Sequence, residues 1–151
     1  MIGTAHFGFT VSKLEASLEF YQGILGLELI GVMERKGEEI SRIVGFAEAH
    51  LKIAFLKLPN SAGITVELIE YVSPLGGRID TRRCNPGVGH LCFKVDDLLS
   101  TYTALRKKGI RFTSEPVEIT TGMNTGAWTV YLSDPDGIPL EIFQPPQCRG
   151  K

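Results

Sequence analysis

The feature that most constrains this chain is that it repeats itself. Residues 6–11 read His-Phe-Gly-Phe-Thr-Val, and residues 90–95 read His-Leu-Cys-Phe-Lys-Val. The shared pattern is His-x-x-Phe-x-Val at an offset of 84. Self-similarity of this kind marks two copies of one supersecondary unit. A helical stripe follows each copy: Leu14, Leu18, Tyr21 and Leu25 in the first, Leu98, Tyr102 and Leu105 in the second. Ser12-Lys-Leu-Glu15 has the spacing of a capping box, and Asp96 or Asp97 can cap the second helix. Glycines mark both helix ends, Gly23 or Gly26 and then Gly109. Gly26-Leu-Glu-Leu29 then matches Gly109-Ile-Arg-Phe112 as the next strand begins.

The far ends of the halves repeat as well. Gly63-Ile-Thr-Val-Glu67-Leu-Ile matches Gly137-Ile-Pro-Leu-Glu141-Ile-Phe, now at an offset of 74. The first half therefore carries about ten extra residues. They fall around 34–50, where GEEISRIVGF suits a short helix. Strands are expected at 28–34, 51–58 and 64–71, and at 110–113, 117–120, 127–133 and 138–143. Turn signals separate them: Pro59-Asn60, Ser73-Pro74, Asn85-Pro86-Gly87 and Asp134-Pro-Asp-Gly137. Each half reads β-α-β-β-β, an α+β pattern. Module one spans about 3–72, a Gly-, Pro- and Arg-rich linker about 73–87, and module two about 88–145, within a single domain over 1–151. A duplicated ferredoxin-like unit, in which repetition carries no catalytic meaning, fits the same element order.

Composition narrows the function classes. At 151 residues and 43% hydrophobic content the chain can bury one real core. A net charge of −1 offers no basic footprint for nucleic acid. Apolar runs are only a few residues long, so no membrane span is expected. The opening MIGTAHFGFT lacks a basic region leading into an apolar stretch, so no secretory signal is expected. Cys84, Cys92 and Cys148 are odd in number and lack C-x-x-C spacing. That disfavours a disulfide framework or a thiolate zinc site and suits a cytoplasmic protein.

Strand phase singles out four polar residues. Phe7, Phe9 and Val11 share the face that receives a helix, which puts His6, Gly8 and Thr10 on the other. Leu91, Phe93 and Val95 likewise put His90, Cys92 and Lys94 on the far face. Val66 and Leu68 flank Glu67, and Leu140 and Ile142 flank Glu141. Each half thus places one His and one Glu on the face away from its helix. Imidazole and carboxylate together suit a divalent metal: zinc, nickel, cobalt, manganese or ferrous iron. Four protein ligands on a six-coordinate ion leave two places for water or substrate. Taken singly, a strand His or Glu is ordinary polar surface; the recurrence at matching positions is what singles them out. His50 has no counterpart and reads as structural, and Glu70 lies in the opposite strand phase from Glu67.

With these residues in view, the chain resembles the vicinal oxygen chelate superfamily. The resemblance rests on the paired His-x-x-Phe-x-Val strands, on Phe20-Tyr-Gln-Gly-Ile-Leu-Gly-Leu27, and on Asp134-Pro-Asp-Gly-Ile-Pro-Leu-Glu141. It runs from His6 to Gln144. That superfamily includes glyoxalase I (lactoylglutathione lyase), methylmalonyl-CoA epimerase, extradiol dioxygenases, and fosfomycin- and bleomycin-resistance proteins. The resemblance implies two tandem βαβββ modules forming a cupped mixed-sheet half-barrel around one metal. It implies metal ligands at His6, Glu67, His90 and Glu141, the same four that strand phase selects. A full His/Glu/His/Glu set is nearest to glyoxalase I and the epimerases. It implies a lyase or isomerase using nickel, cobalt, zinc or manganese, with iron as a further option.

In such an enzyme a glutamate shuttles a proton while the metal stabilises an enolate of a 2-oxo or thioester substrate. Glu141 and Glu67 are the candidates for that role, Glu141 favoured because the family varies the Glu67 position. The alternatives are an Fe(II) dioxygenase of the same superfamily, or a small-molecule binding or resistance protein. No organic cofactor site is assigned. The expected partners are a small-molecule substrate and a second copy of the chain in a homodimer. Arg78, Arg82 and Arg83 in the linker, and Arg35 and Arg42 in the inserted segment, are candidate handles for a substrate carboxylate or phosphate. The polar loop Thr120–Gly126 has the composition of a lid, and Tyr71 and Trp128 are candidates to line a pocket.

Overall fold

Alternating apolar residues around His6 and Glu67 require strands with one buried face, and the first half builds a sheet from them. The computed structural model describes residues 2–59 and 63–147. Asn60 of the expected Pro59-Asn60 turn and Cys148 lie outside the described residues. The chain divides into two compact units, Met1–Ile79 and Asp80–Lys151.

In the first unit β1 (His6–Val11) leads into a helix, α1 (Leu14–Leu18), whose path continues as a π-helical turn over Glu19–Ile24. Then come β2 (Glu28–Lys36), α2 (Glu38–Val44), β3 (His50–Lys57) and β4 (Thr65–Ser73). The sheet order is β1-β4-β3-β2. β1 pairs parallel with β4, while β4 with β3 and β3 with β2 are antiparallel. The second unit repeats the plan with β5 (Leu91–Lys94), α3 (Leu98–Lys107), β6 (Val117–Glu118), β7 (Trp128–Ser133) and β8 (Pro139–Gln144). Its order is β5-β8-β7-β6, with the same pattern of directions. The β-α-β-β-β reading holds in both halves, and the extra residues of the first form α2. The strand expected at 110–113 is reduced to one bridge, Phe112 to Leu132. Among the described residues no helix is long and apolar enough to cross a membrane.

The phrase Phe20–Leu27 is a packing device rather than a chemical one. Phe20, Tyr21 and Leu27 are all buried, and the two rings meet edge-on with centroids 5.2 Å apart. The chain turns just before Leu27 at Gly26, whose φ of 79° is a left-handed conformation open to glycine.

The first helix starts one residue later than the Ser12–Glu15 spacing predicts. Lys13, not Ser12, occupies the N-cap position of α1, and its side chain makes no capping bond. The cap comes instead from the sheet. Buried Glu70 on β4 accepts a hydrogen bond from the Leu14 backbone N–H at 2.8 Å and an ion pair from Lys13 at 3.1 Å. Gln144 on β8 does the same for α3, accepting from Leu98 N–H at 2.8 Å. Asp97 caps α3 as expected, accepting from Ser100 N–H. Glu70 and Gln144 each stand three residues beyond the repeated glutamates. Each ties its helix to the strand beside the first strand of its unit.

Burial raises the pKa of Glu70, but the Leu14 amide and the Lys13 ammonium outweigh it, and the carboxyl sits below its ordinary 4.5. A carboxyl held low in the folded state stabilises above its unfolded pKa and loses that contribution as pH falls through the folded value. Glu70→Gln keeps the amide acceptor that serves α3 and removes the charge. It is expected to destabilise the protein at pH 7 by about 1 kcal/mol, the difference between charged and neutral hydrogen bonds. That gap should close as acid takes the solution down through the folded pKa. Thermal melts of both proteins over an acid series starting at pH 7 measure it.

Candidate active site

Register fixes which side chains share the face of Glu67. In β4, Val66, Leu68 and Glu70 are buried under the helix side, and Glu67 and Ile69 point the other way. Glu67 pairs across β3 with Phe55 and across β1 with Gly8. His6 stands two residues before Gly8, on the same face. The result is a direct contact: His6 Nε2 lies 3.2 Å from Glu67 Oε2. A Cβ on Gly8 would come within 3.4 Å of the same oxygen, so the missing side chain leaves this carboxylate room.

The second unit reproduces the arrangement. Glu141 pairs across β7 with Tyr131 and across β5 with Cys92. His90 immediately precedes β5, and its Nε2 lies 3.0 Å from Glu141 Oε2. Exposure agrees closely between the pairs. The imidazoles are 45% and 42% exposed and the carboxylates 15% and 14%, so each pair is open at its histidine and seated at its glutamate.

The surroundings of the two carboxylates differ. Around Glu67 the neighbouring positions on the face are Phe55, Ile53 and Gly8. Around Glu141 the matching positions are Tyr131, Thr129 and Cys92. Thr129 Oγ1 donates to Glu141 Oε1 at 2.5 Å, and the Tyr131 hydroxyl donates to Oε2 at 3.1 Å. Desolvation, then the facing Glu141 carboxylate, pushes the Cys92 thiol up to about 12, so it remains a neutral donor. Desolvation and the hydrogen bond to Glu141 raise Tyr131 to about 12 as well. Nothing in the sequence pattern marked Tyr131 and Thr129, because their role depends on β7–β8 register. That register follows from the Asp134–Gly137 turn. Asp134 Oδ1 accepts from the backbone N–H of Asp136 and Ile138, and Gly137 turns at φ 87°. The turn sets Ser133 opposite Pro139, and with it Tyr131 opposite Glu141.

The remaining candidates divide. His50 contacts Glu34 Oε1 at 2.5 Å, and this hydrogen bond holds the Glu34 carboxyl below its ordinary range. Glu34 stands between Met33 and Arg35, which pair with Ile53 and Leu51, so it belongs to the opposite strand phase from Glu67's face. Arg35 is ion-paired with Glu39 at 3.0 Å. Arg82 is engaged by Asp80 through Nε and Nη2, and this pairing holds the Asp80 carboxyl at about 2. Arg83 lies over the ring of Tyr131, 4.6 Å from its centroid. Arg42 lies in α2 and Arg78 is exposed.

Within α2, Ile40 and Val44 pack with Leu51, Ile53, Ile69 and Tyr71, so the inserted helix covers part of the Glu67 face. Tyr71 is therefore committed to this cluster, with Phe46 edge-on to its ring. Trp128 lies in the strand phase of Val130 and Leu132, opposite to Glu141 and Tyr131, and is partly exposed. The loop of Thr120–Gly126 is closed at its base by Gly126 N–H to Ile119 O and Ile119 N–H to Ala127 O.

Comparison with known proteins agrees with this architecture. A sequence model described as the Glyoxalase/Bleomycin resistance protein/Dioxygenase superfamily matches residues 3–142. A 2-epi-5-epi-valiolone epimerase from Actinomyces sp is 31% identical over 149 residues, spanning 96% of this chain and 80% of that protein. A probable lactoylglutathione lyase from Synechocystis sp is 28% identical over 140 residues, spanning 92% of each. The crystal structure of a glyoxalase family protein from Bacillus cereus shares the fold, with a TM-score of 0.78 over 97% of this chain and 95% of that one at 21% identity.

Proposed function

The chain belongs to the Glyoxalase/Bleomycin resistance protein/Dioxygenase superfamily, and from that premise we propose that it is a divalent-metal-dependent lyase or isomerase. Its substrate class is a 2-oxo-derived or thioester compound that loses and regains a proton at carbon next to a carbonyl. The observation that carries this reading is the pairing of one histidine nitrogen with one carboxylate oxygen at the same place in both units. Relatives bearing epimerase and lyase names support the reaction class.

The donor set fits a metal. Imidazole nitrogen with carboxylate oxygen suits nickel, cobalt, zinc and manganese, and also iron. In each pair the atoms of ligating type already face one another, and the imidazole is open. His6 and Glu67 are the proposed ligands of the first unit, and His90 and Glu141 those of the second. When bound, the ion polarises a substrate carbonyl and stabilises charge that develops on its oxygen.

The proton is the work of a glutamate. A carboxylate that serves as base needs partners that hold its charge and aim it. Glu141 has them in Thr129 and Tyr131, whereas the face around Glu67 offers Phe55 and Ile53. Glu141 is therefore the proposed base, and Glu67 the proposed fixed ligand.

The test is to refill metal-free protein with nickel, cobalt, zinc, manganese and iron in turn. Each form is then assayed for deuterium uptake from heavy water into a 2-oxoaldehyde hemithioacetal and an acyl-CoA thioester. Retention of about one ion per chain, with deuterium uptake and no oxygen consumption, is expected. Oxygen consumption with iron overturns the reading in favour of a dioxygenase. Retention of no ion overturns it in favour of a binding protein.

A further inference from the structure

We propose that Arg83 is the ligand-anchoring cation of the second unit, holding a carboxylate or phosphate group of the substrate beside Glu141. The neighbouring arginine shows why Arg83 is the one available. Arg82 spends its guanidinium on Asp80, with contacts of 2.6–3.1 Å. Among the described residues no carboxylate lies within ion-pair distance of Arg83. Its recorded partner is the Tyr131 ring, 4.6 Å away. A guanidinium over an aromatic ring is held by the ring's electron-rich face and keeps its N–H donors in its own plane. It is therefore anchored without being neutralised.

The anchor sits beside the reaction site. Tyr131 donates its hydroxyl to Glu141 and meets the His90 ring edge-on at 5.4 Å. The segment that carries Arg83 is also pinned. Asp80 accepts from the Arg82 backbone N–H at 3.0 Å, the Asn85 side chain donates to the Asp80 carbonyl at 3.1 Å, and Asn85 N–H donates to Arg82 O at 2.9 Å. Thr81 packs so closely on Gly137 that an added Cβ there would lie 2.9 Å from its hydroxyl. The Asp134–Gly137 turn that sets Tyr131 opposite Glu141 thus also seats the segment bearing Arg83. The matching position to Tyr131 in the first unit is Phe55, and among the described residues no arginine lies over its ring. A planar fork with open donors recognises carboxylate or phosphate, so the ligand carries at least one such group.

The inference rests on Glu141 belonging to the reaction site, but its test needs neither metal nor turnover, so it can fail separately. Metal-free protein labelled with nitrogen-15 is titrated with malonate, inorganic phosphate and the neutral propane-1,3-diol while the arginine Nε resonances are followed. An anion is expected to shift the Arg83 Nε signal while the diol does not. Arg83→Gln should weaken anion binding by about tenfold or more, and Arg83→Lys by less, because it keeps the charge and loses the fork. Arg82→Gln should stay within about twofold, as an already paired cation. Stronger binding of malonate assigns a carboxylate, and stronger binding of phosphate assigns a phosphate. If neither anion shifts Arg83, or if Arg83→Gln binds them as the unaltered protein does, the proposal is overturned.

Discussion

His90→Ala is expected to lose bound metal, with affinity falling at least about 100-fold. Removing a group that merely supports a ligand costs ~10–100-fold, and removing the ligand itself costs more. His6→Ala should behave alike, because the two imidazoles match in exposure and in their approach to a carboxylate. The molecule contains its own control. His50 and Glu34 form a third histidine–carboxylate contact, on the opposite strand phase from Glu67 and without a repeat counterpart. His50→Ala should therefore leave metal content unchanged. Elemental analysis after dialysis, with circular dichroism to confirm folding, reads all three variants. Equal metal retention in His90→Ala and His50→Ala would show that the repeated pairs have no special claim on the ion.

The contrast between those pairs shows how much the sequence revealed. The two repeated pairs were legible because strand alternation is a period of two, and apolar neighbours such as Val66 and Leu68 fix the phase of Glu67. The turn at Asp134–Gly137 was legible because aspartate side chains bond nearby amides and glycine accepts positive φ. Features that depend on strand pairing were not. His50 finds Glu34 only after β2 and β3 pair, which sets Lys36 opposite His50 and Glu34 opposite Lys52. Strand phase alone puts Glu70 opposite to Glu67 and assigns it no role. That same phase carries it to the α1 N-terminus as a cap. The Ser12–Glu15 spacing promised a local cap, but the helix starts one residue later and takes its acceptor from β4. Arg82 and Arg83 are adjacent in sequence and opposite in circumstance, a distinction that only distances reveal.

Glu141→Gln is expected to lower kcat by about 10²–10⁴-fold, the usual contribution of a positioned proton-transfer group. The amide still fits between Thr129 and Tyr131, so folding should be little changed. It cannot take a proton, and one of its two ends no longer accepts from a hydroxyl. Glu67→Gln should act differently. Its neighbours are Phe55, Ile53 and the open space at Gly8, so the substitution should weaken metal retention first and recover much of its activity when the ion is supplied in excess. Deuterium uptake at saturating metal separates the two roles, because it follows proton removal even where product release is slow. Tyr131→Phe sharpens the distinction. It removes one donor to Glu141 while leaving every proposed ligand in place, and should reduce kcat even at saturating metal. If saturating metal restores Glu141→Gln and leaves Glu67→Gln inactive, the roles are reversed. The proton then belongs to the carboxylate with the apolar neighbours, and the hydroxyls of Thr129 and Tyr131 serve to fix a ligand.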